Sequence, residues 1–178
     1  FSDRLTMWPR AASLADSTTT YSYAVNDFPF INVEGRTGTD QATMYDSASN
    51  DVFESKFTHS RMYSAARMYS NWLTSFERIY ANASTGNDIA WVHGSDGSDL
   101  FVATPTYSTM STVRLSSRVR AFDYVYGVAG GGNDLAKLFD SDKDDAFTGR
   151  PTESTMQGTG YVNRAKGFDT VEAYATRG

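Results

Sequence analysis

The chain has 178 residues, of which 40% are hydrophobic and 14% aromatic, and carries a formal net charge of -5. Aromatic rings in that number exclude a disordered chain, and the acidic balance sets aside nucleic acid as a partner. Without Cys there is neither a disulfide framework nor a thiolate metal site, and no apolar run reaches the roughly 20 residues of a membrane span.

Read from its start, the chain repeats itself. "FPFINVEGRTG" (28–38) is a worn copy of a block that returns without gaps as "FERIYANASTG" (76–86), "FDYVYGVAGGG" (122–132) and "FDTVEAYATRG" (168–178). A second block follows each of the first three: "TGTDQATMYDSASNDVF" (37–53), "TGNDIAWVHGSDGSDLF" (85–101) and "GGNDLAKLFDSDKDDAF" (131–147). Gly38, Gly86 and Gly132 correspond, as do Asp40, Asp88 and Asp134, and Asp51, Asp99 and Asp145. A link closes the unit, with "FVATPTYSTM" (101–110) matching "FTGRPTESTM" (147–156). Phe101 to Phe147 is 46 positions and Phe53 to Phe101 is 48, so all length variation falls in the link. The units are about 1–37 (partial), 38–85, 86–131 and 132–178. Phe1 falls in the place of Phe53 and Gly178 in that of Gly132, so the chain is expected to be a piece of a longer array, or to have its ends covered by partners.

Alternation of period two marks strands, as in "FDYVYGV" and "NDLAKLF", and "GGGN", "DSDKDD", "TGRPT" and "QGTG" mark the turns between them. About four short strands per unit are expected. Helical spacing occurs only over 62–81, where Met62, Ala65, Ala66, Tyr69 and Leu73 recur at i, i+3, i+4, i+7 and i+11. The expected fold is all-β: a β-solenoid of β-helix or β-roll type, with two coils of about 23 residues per unit. A β-propeller is the alternative, although propellers close with at least four blades. Phe28, Phe53, Phe76, Phe101, Phe122, Phe147 and Phe168 are expected to stack as a core column.

The aspartates admit two readings. Asp and Asn beside Gly cap turns by bonding backbone amides. Flexible turns rich in carboxylates and carbonyls also suit Ca²⁺, which takes six to eight oxygens. The densest cluster is Asp134, Asp140, Asp142, Asp144 and Asp145, with Asp40, Asp46, Asp51, Asp88 and Asp99 at matching places in the earlier units. The position of Asp46 and Asp140 is glycine, Gly94, in the unit between.

Gly-Asn-Asp followed by alternating residues resembles the nonapeptide of RTX-type β-rolls, which implies Ca²⁺ as the one cofactor. Across the whole unit, "GNDLAKLFDSDKDDAF" and "AKGFDTVEAYATRG" resemble the repeats of long exported proteins of planctomycetes and other environmental bacteria. That resemblance implies an extracellular or cell-surface location.

No catalytic constellation emerges, and an enzyme is not expected. His59 and His93, the only histidines, lack metal-ligand spacing. "GVAGGGND" lacks the strand–turn–helix setting of a dinucleotide site. "NAS" at Asn82 is a glycosylation sequon, and Trp8, Trp72 and Trp91 are either packed groups or platforms for sugars. Glu54, Lys56, His59, Arg61 and Arg67 gather in the link 54–75, read as a surface loop. The function expected is an extracellular structural or adhesive array, a surface filament or layer, whose partners are neighbouring repeats or head-to-tail copies of itself. The alternative is a module that binds or processes polysaccharide, with glycans as partners.

Overall fold

In the computed structural model, which describes residues 2–16, 18 and 21–176, every regular element among the described residues is a strand. Alternate side chains along these strands are buried, so each strand has one inward and one outward face. The strands fall into sets of five. The first set is β1 (Asp3–Trp8), β2 (Ala11–Asp16), β3 (Ser22–Asn26), β4 (Phe30–Glu34) and β5 (Gln41–Tyr45). The second is β6 (Asp51–Lys56), β7 (His59–Ser64), β8 (Ser70–Thr74), β9 (Arg78–Asn82) and β10 (Ile89–His93). The third is β11 (Leu100–Ala103), β12 (Tyr107–Ser111), β13 (Ser116–Arg120), β14 (Tyr124–Val128) and β15 (Leu135–Phe139). The fourth runs through β16 (Ala146–Gly149), β17 (Glu153–Gly158), β18 (Tyr161–Lys166) and β19 (Thr170–Tyr174).

Each set opens with a three-stranded antiparallel meander, crosses to the facing sheet for one strand, and returns for another. Five is odd, so successive meanders alternate between the sheets. β1–β3 and β11–β13 lie in a ten-stranded sheet, and β6–β8 and β16–β18 in a nine-stranded one. Parallel ladders then join coil to coil, β1–β5–β9–β13 on one side and β6–β10–β14–β18 on the other. The result is a β-solenoid of about five turns.

Several expectations change. The coil is not about 23 residues: Gln41 lies on Arg4, 37 positions away, and Leu135 on Leu100, 35 away. The hairpin carried by the meander accounts for the extra length. Units hold five strands, not four, and 54–75 is no surface loop. It forms the second and third strands of a meander, with Met62 and Leu73 fully buried, while Ala65 and Ala66 of the apparent helical stripe lie exposed in a turn. Phe1 and Gly178 lie outside the described residues. The position matching Phe53 is held by Leu5, since Leu5 pairs with Leu14 as Phe53 pairs with Met62.

The core fills the space between the sheets by a rule that repeats. A large side chain, an alanine and a β-branched residue stand side by side on consecutive coils: Leu5, Ala42 and Ile79; Phe53, Ala90 and Val125; Phe101, Ala136 and Val171. The small central residue lets rings approach over it. Phe53 meets Phe122 at 6.3 Å and Phe101 meets Phe168 at 5.8 Å. The opening phenylalanine of one unit thus packs on the middle phenylalanine of the next. The phenylalanines do not form one column, because Phe76 and Phe168 lead into the ten-stranded sheet and Phe122 into the nine-stranded one.

Phe28 and Phe147, both expected in the core, are 55% and 47% exposed. Phe147 lies on β16 and Phe28 leads into β4, the two outermost strands of the nine-stranded sheet, and no described coil covers either ring.

Candidate functional site

The turns linking the sheets carry the aspartates, and most of these serve the backbone. The amides of Asp3, Asp51 and Asp99 donate to the carboxylates of Asp40, Asp88 and Asp134 on the next coil, at 2.7, 2.8 and 2.8 Å. The amides of Asp40, Asp88 and Asp134 donate in turn to Glu77, Asp123 and Asp169, at 2.7, 2.8 and 2.8 Å. A chain of amide-to-carboxylate bonds therefore climbs the stack. Asp51 and Asp145 also hold their own turns, accepting from Ser47 Oγ and Ser141 Oγ at 2.7 Å each, and Asp99 accepts from Ser95 in the same way. Asp140 accepts from the Thr176 amide at 2.7 Å. Asp142 and Asp144, in the densest run of the sequence, are exposed.

The aspartates that converge come instead from two coils. Asp46 and Asp51 flank the turn between β5 and β6, and Asp88 precedes β10. Each offers an oxygen, and these oxygens lie within 4.8 Å of one another. Asp46 accepts from the Ser84 amide and hydroxyl, both at 2.8 Å. Burial, reinforced by the neighbouring Asp46, Asp51 and Asp123 and opposed by the bond from the Asp51 amide, pushes the Asp88 carboxyl up to about 7. Burial also raises Asp46, against the bonds from Ser84. Asp51 Oδ1, Asp88 Oδ2 and the Tyr69 hydroxyl are buried without a hydrogen bond of good geometry, although Tyr69 stands near Asp51 and Asp88 near Asp46. All the donors are oxygens, a set that suits a hard cation.

The same corner one unit later is built differently. Gly94 replaces Asp46, Gly130 replaces Ser84 and Leu115 replaces Tyr69. There the backbones close directly, with the Gly131 amide donating to the Ser95 carbonyl at 2.9 Å.

A second feature lies on the outward face of the nine-stranded sheet. Pairing sets Arg164, Tyr126, Trp91, Glu54, Arg61 and Trp72 in one row across adjacent strands. Trp91 and Tyr126 stack at 4.0 Å, and the Arg61 guanidinium lies 5.4 Å from Trp72. Of the residues the link was expected to gather, Glu54 pairs with Lys56 and Arg61 at 2.8 Å each and lies 3.9 Å from His93. Burial works to raise the Glu54 carboxyl, but those two cations hold it below its ordinary value. His59 stacks on Trp72 at 5.0 Å, and Arg67 stands apart in the β7–β8 turn. Trp8, stacked on Tyr45 at 6.2 Å, is also exposed rather than packed in the core.

Fold and site together define a repeat protein of the β-solenoid class, whose buried carboxylates lie at the ends of strands. Compared with known proteins, the chain matches no family model, no curated protein and no solved structure. Among the described residues no helix is long and apolar enough to cross a membrane.

Proposed function

We propose that this chain is an extracellular structural or adhesive repeat protein that lengthens by stacking further coils of its own kind, as in a surface filament or layer. One observation carries the reading: the same repeat position is buried where another coil covers it and open where none does. Phe53 and Phe101 are 0% exposed whereas their counterpart Phe147 is 47% exposed, and Phe76, Phe122 and Phe168 are below 10% whereas Phe28 is 55%. Tyr23 and Phe30 add to the apolar end beside Phe28, and Tyr174 to that beside Phe147. Open strand edges with apolar side chains template further strands. The extracellular setting rests on the resemblance of the repeat to long exported proteins.

Small-angle scattering across a concentration series tests this. Ten strands at about 4.8 Å spacing give one copy a stack of about 45 Å. The expected result is growth along that axis with concentration, lost in Phe147→Glu. A particle that stays one stack long at every concentration overturns the proposal.

The stacked row on the nine-stranded sheet favours a second reading, polysaccharide binding, since aromatic faces flanked by Arg and Glu suit sugar rings. Glycan-array binding that disappears in Trp91→Ala would support it, and no binding to any glycan would remove it.

A further inference from the structure

Three carboxylates do not share a dry corner as full charges unless something positive stands among them. Asp51 and Asp88 are each 1% exposed, yet Asp51 Oδ1 and Asp88 Oδ2 accept no hydrogen bond of good geometry. A third polar atom, the Tyr69 hydroxyl, is idle beside them although Tyr69 is 2% exposed. Burial, and after it the Asp51 carboxylate as a charge and as a loose hydrogen-bond acceptor, raise the Tyr69 phenol. Buried polar atoms are nearly always partnered, so three idle atoms around one point call for a ligand.

The sister corners sharpen the case. Tyr161 and Tyr21 hold the positions equivalent to Tyr69, and they donate to Asp145, at 2.9 Å, and to Asp3. Tyr69 also faces Asp51, but without the close geometry of those two bonds. In the third unit the acid and the phenol are both gone, as Gly94 and Leu115. There Asp99 turns both oxygens onto Ser95, and neither Asp99 nor Asp134 keeps a buried idle oxygen. Idle atoms therefore collect at the corner that has the third carboxylate.

We infer that Asp46, Asp51 and Asp88, with Tyr69 beside them, form a site for one Ca²⁺ that ties the β5–β6 turn to the coil above it. Asp51 Oδ1 and Asp88 Oδ2 are the direct ligands. Asp46 contributes through a lone pair not taken by Ser84, and carbonyl or water oxygens complete the shell. Ca²⁺–oxygen distances of about 2.3–2.6 Å place opposite ligands about 4.6–5.2 Å apart, a span that accommodates oxygens within 4.8 Å of one another. The ion binds the folded corner and not the unfolded chain, so it stabilises by mass action.

The test uses the full chain at pH 8, with Ca²⁺ or with chelator, read by thermal unfolding and by Tb³⁺ luminescence excited through the protein's own rings. At a hundredfold excess over Kd the expected rise in Tm is about 5–10 °C. It disappears in Asp88→Asn and persists in Asp142→Asn, which changes an exposed acid of another turn. Tb³⁺ emission, displaced by Ca²⁺, weakens in Tyr69→Phe. If Asp88→Asn does not fold, Asp46→Asn serves, because an amide oxygen can keep a bond from Ser84; the expected result is a Ca²⁺ affinity at least tenfold lower. Three results would overturn the inference: no Ca²⁺ response in the unaltered chain, a response that survives in Asp88→Asn, or one lost in Asp142→Asn. The first, joined to a gain in stability at pH 8 from Asp88→Asn, would mean that a shared proton rather than an ion settles the corner.

Discussion

Phe101→Ala and Phe147→Ala remove the same side chain from the same repeat position, so their difference measures what a covering coil contributes. Phe101 is 0% exposed, with the Phe168 ring at 5.8 Å on one side. Gly127 of the facing sheet stands so close that a Cβ there would lie 2.5 Å from the Phe101 ring. Parallel ladders to β15 and antiparallel ones to β12 hold the surrounding backbone, so the void left by truncation has little means to collapse. Truncating a buried phenylalanine costs about 3–5 kcal/mol, and this site belongs at the upper end. Phe147 has half its surface in water already and no ring above it. Full burial of such a side chain is worth about 1.5–3 kcal/mol, so losing one that is half buried costs about 0.8–1.5 kcal/mol. Urea unfolding followed by tryptophan fluorescence, with the midpoints compared at a common m-value, reads both. Equal losses in the two variants, or a loss below about 1 kcal/mol for Phe101→Ala, would refute coil-on-coil burial as the source of stability.

Other consequences follow from the corners. In chelator, the raised Asp88 carboxyl makes the folded state hold a proton that the unfolded chain releases near pH 4. The associated stability is full below that pH and lost as the pH rises through about 7. The slope reaches at most about 1.4 kcal/mol per pH unit, and Asp88→Asn should flatten it in unfolding curves taken from pH 4 to 8. Ala121 sits at φ 62°, where glycine carries no Cβ penalty, and Gly167 holds the equivalent place at φ 77°. Ala121→Gly should therefore raise stability by about 0.5–1 kcal/mol, measured as a higher urea midpoint. Gly130→Ala puts a Cβ 1.7 Å from the Ser95 carbonyl oxygen and should cost about 1–3 kcal/mol by the same measurement.

The all-β class and the repeat are legible in the chain because both depend on local spacing. Alternation in "FDYVYGV" becomes β14, with Val125 and Gly127 inward and Tyr124, Tyr126 and Val128 outward. Coil length and sheet assignment are not legible in that way. The sequence period counts five strands, whereas the neighbour in space is reached after 35–38 residues, as Leu135 on Leu100 and Ser116 on Arg78 show. Residues that look equivalent, such as Phe53 and Phe101, consequently lie in opposite sheets. Local density also misleads about the candidate site. Asp142 and Asp144 are adjacent to other acids in sequence and still point to solvent, because a turn of alternating residues spreads its side chains.

A subtler signal for the site does exist within this one chain. Ser84 stands over Asp46 and Thr176 over Asp140, each pair hydrogen-bonded across a coil, while Gly130 lies against Gly94, where a Cβ would come 3.1 Å from the Gly130 nitrogen. Acid occurs with hydroxyl and glycine with glycine, because each combination closes the corner in its own way. A carboxylate needs a donor above it, whereas two glycines let the backbones touch. A Cβ on Gly94 would come within 2.5 Å of an Asp99 oxygen, and one on Gly130 within 1.7 Å of the Ser95 carbonyl oxygen, so neither glycine can change alone. Pairs that change together mark neighbours, and these lie 36 or 38 positions apart rather than 46. That offset, applied to Asp51, leads to the neighbourhood of Asp88. The corner where three acids meet is therefore written in the register of the coil and not in the register of the repeat.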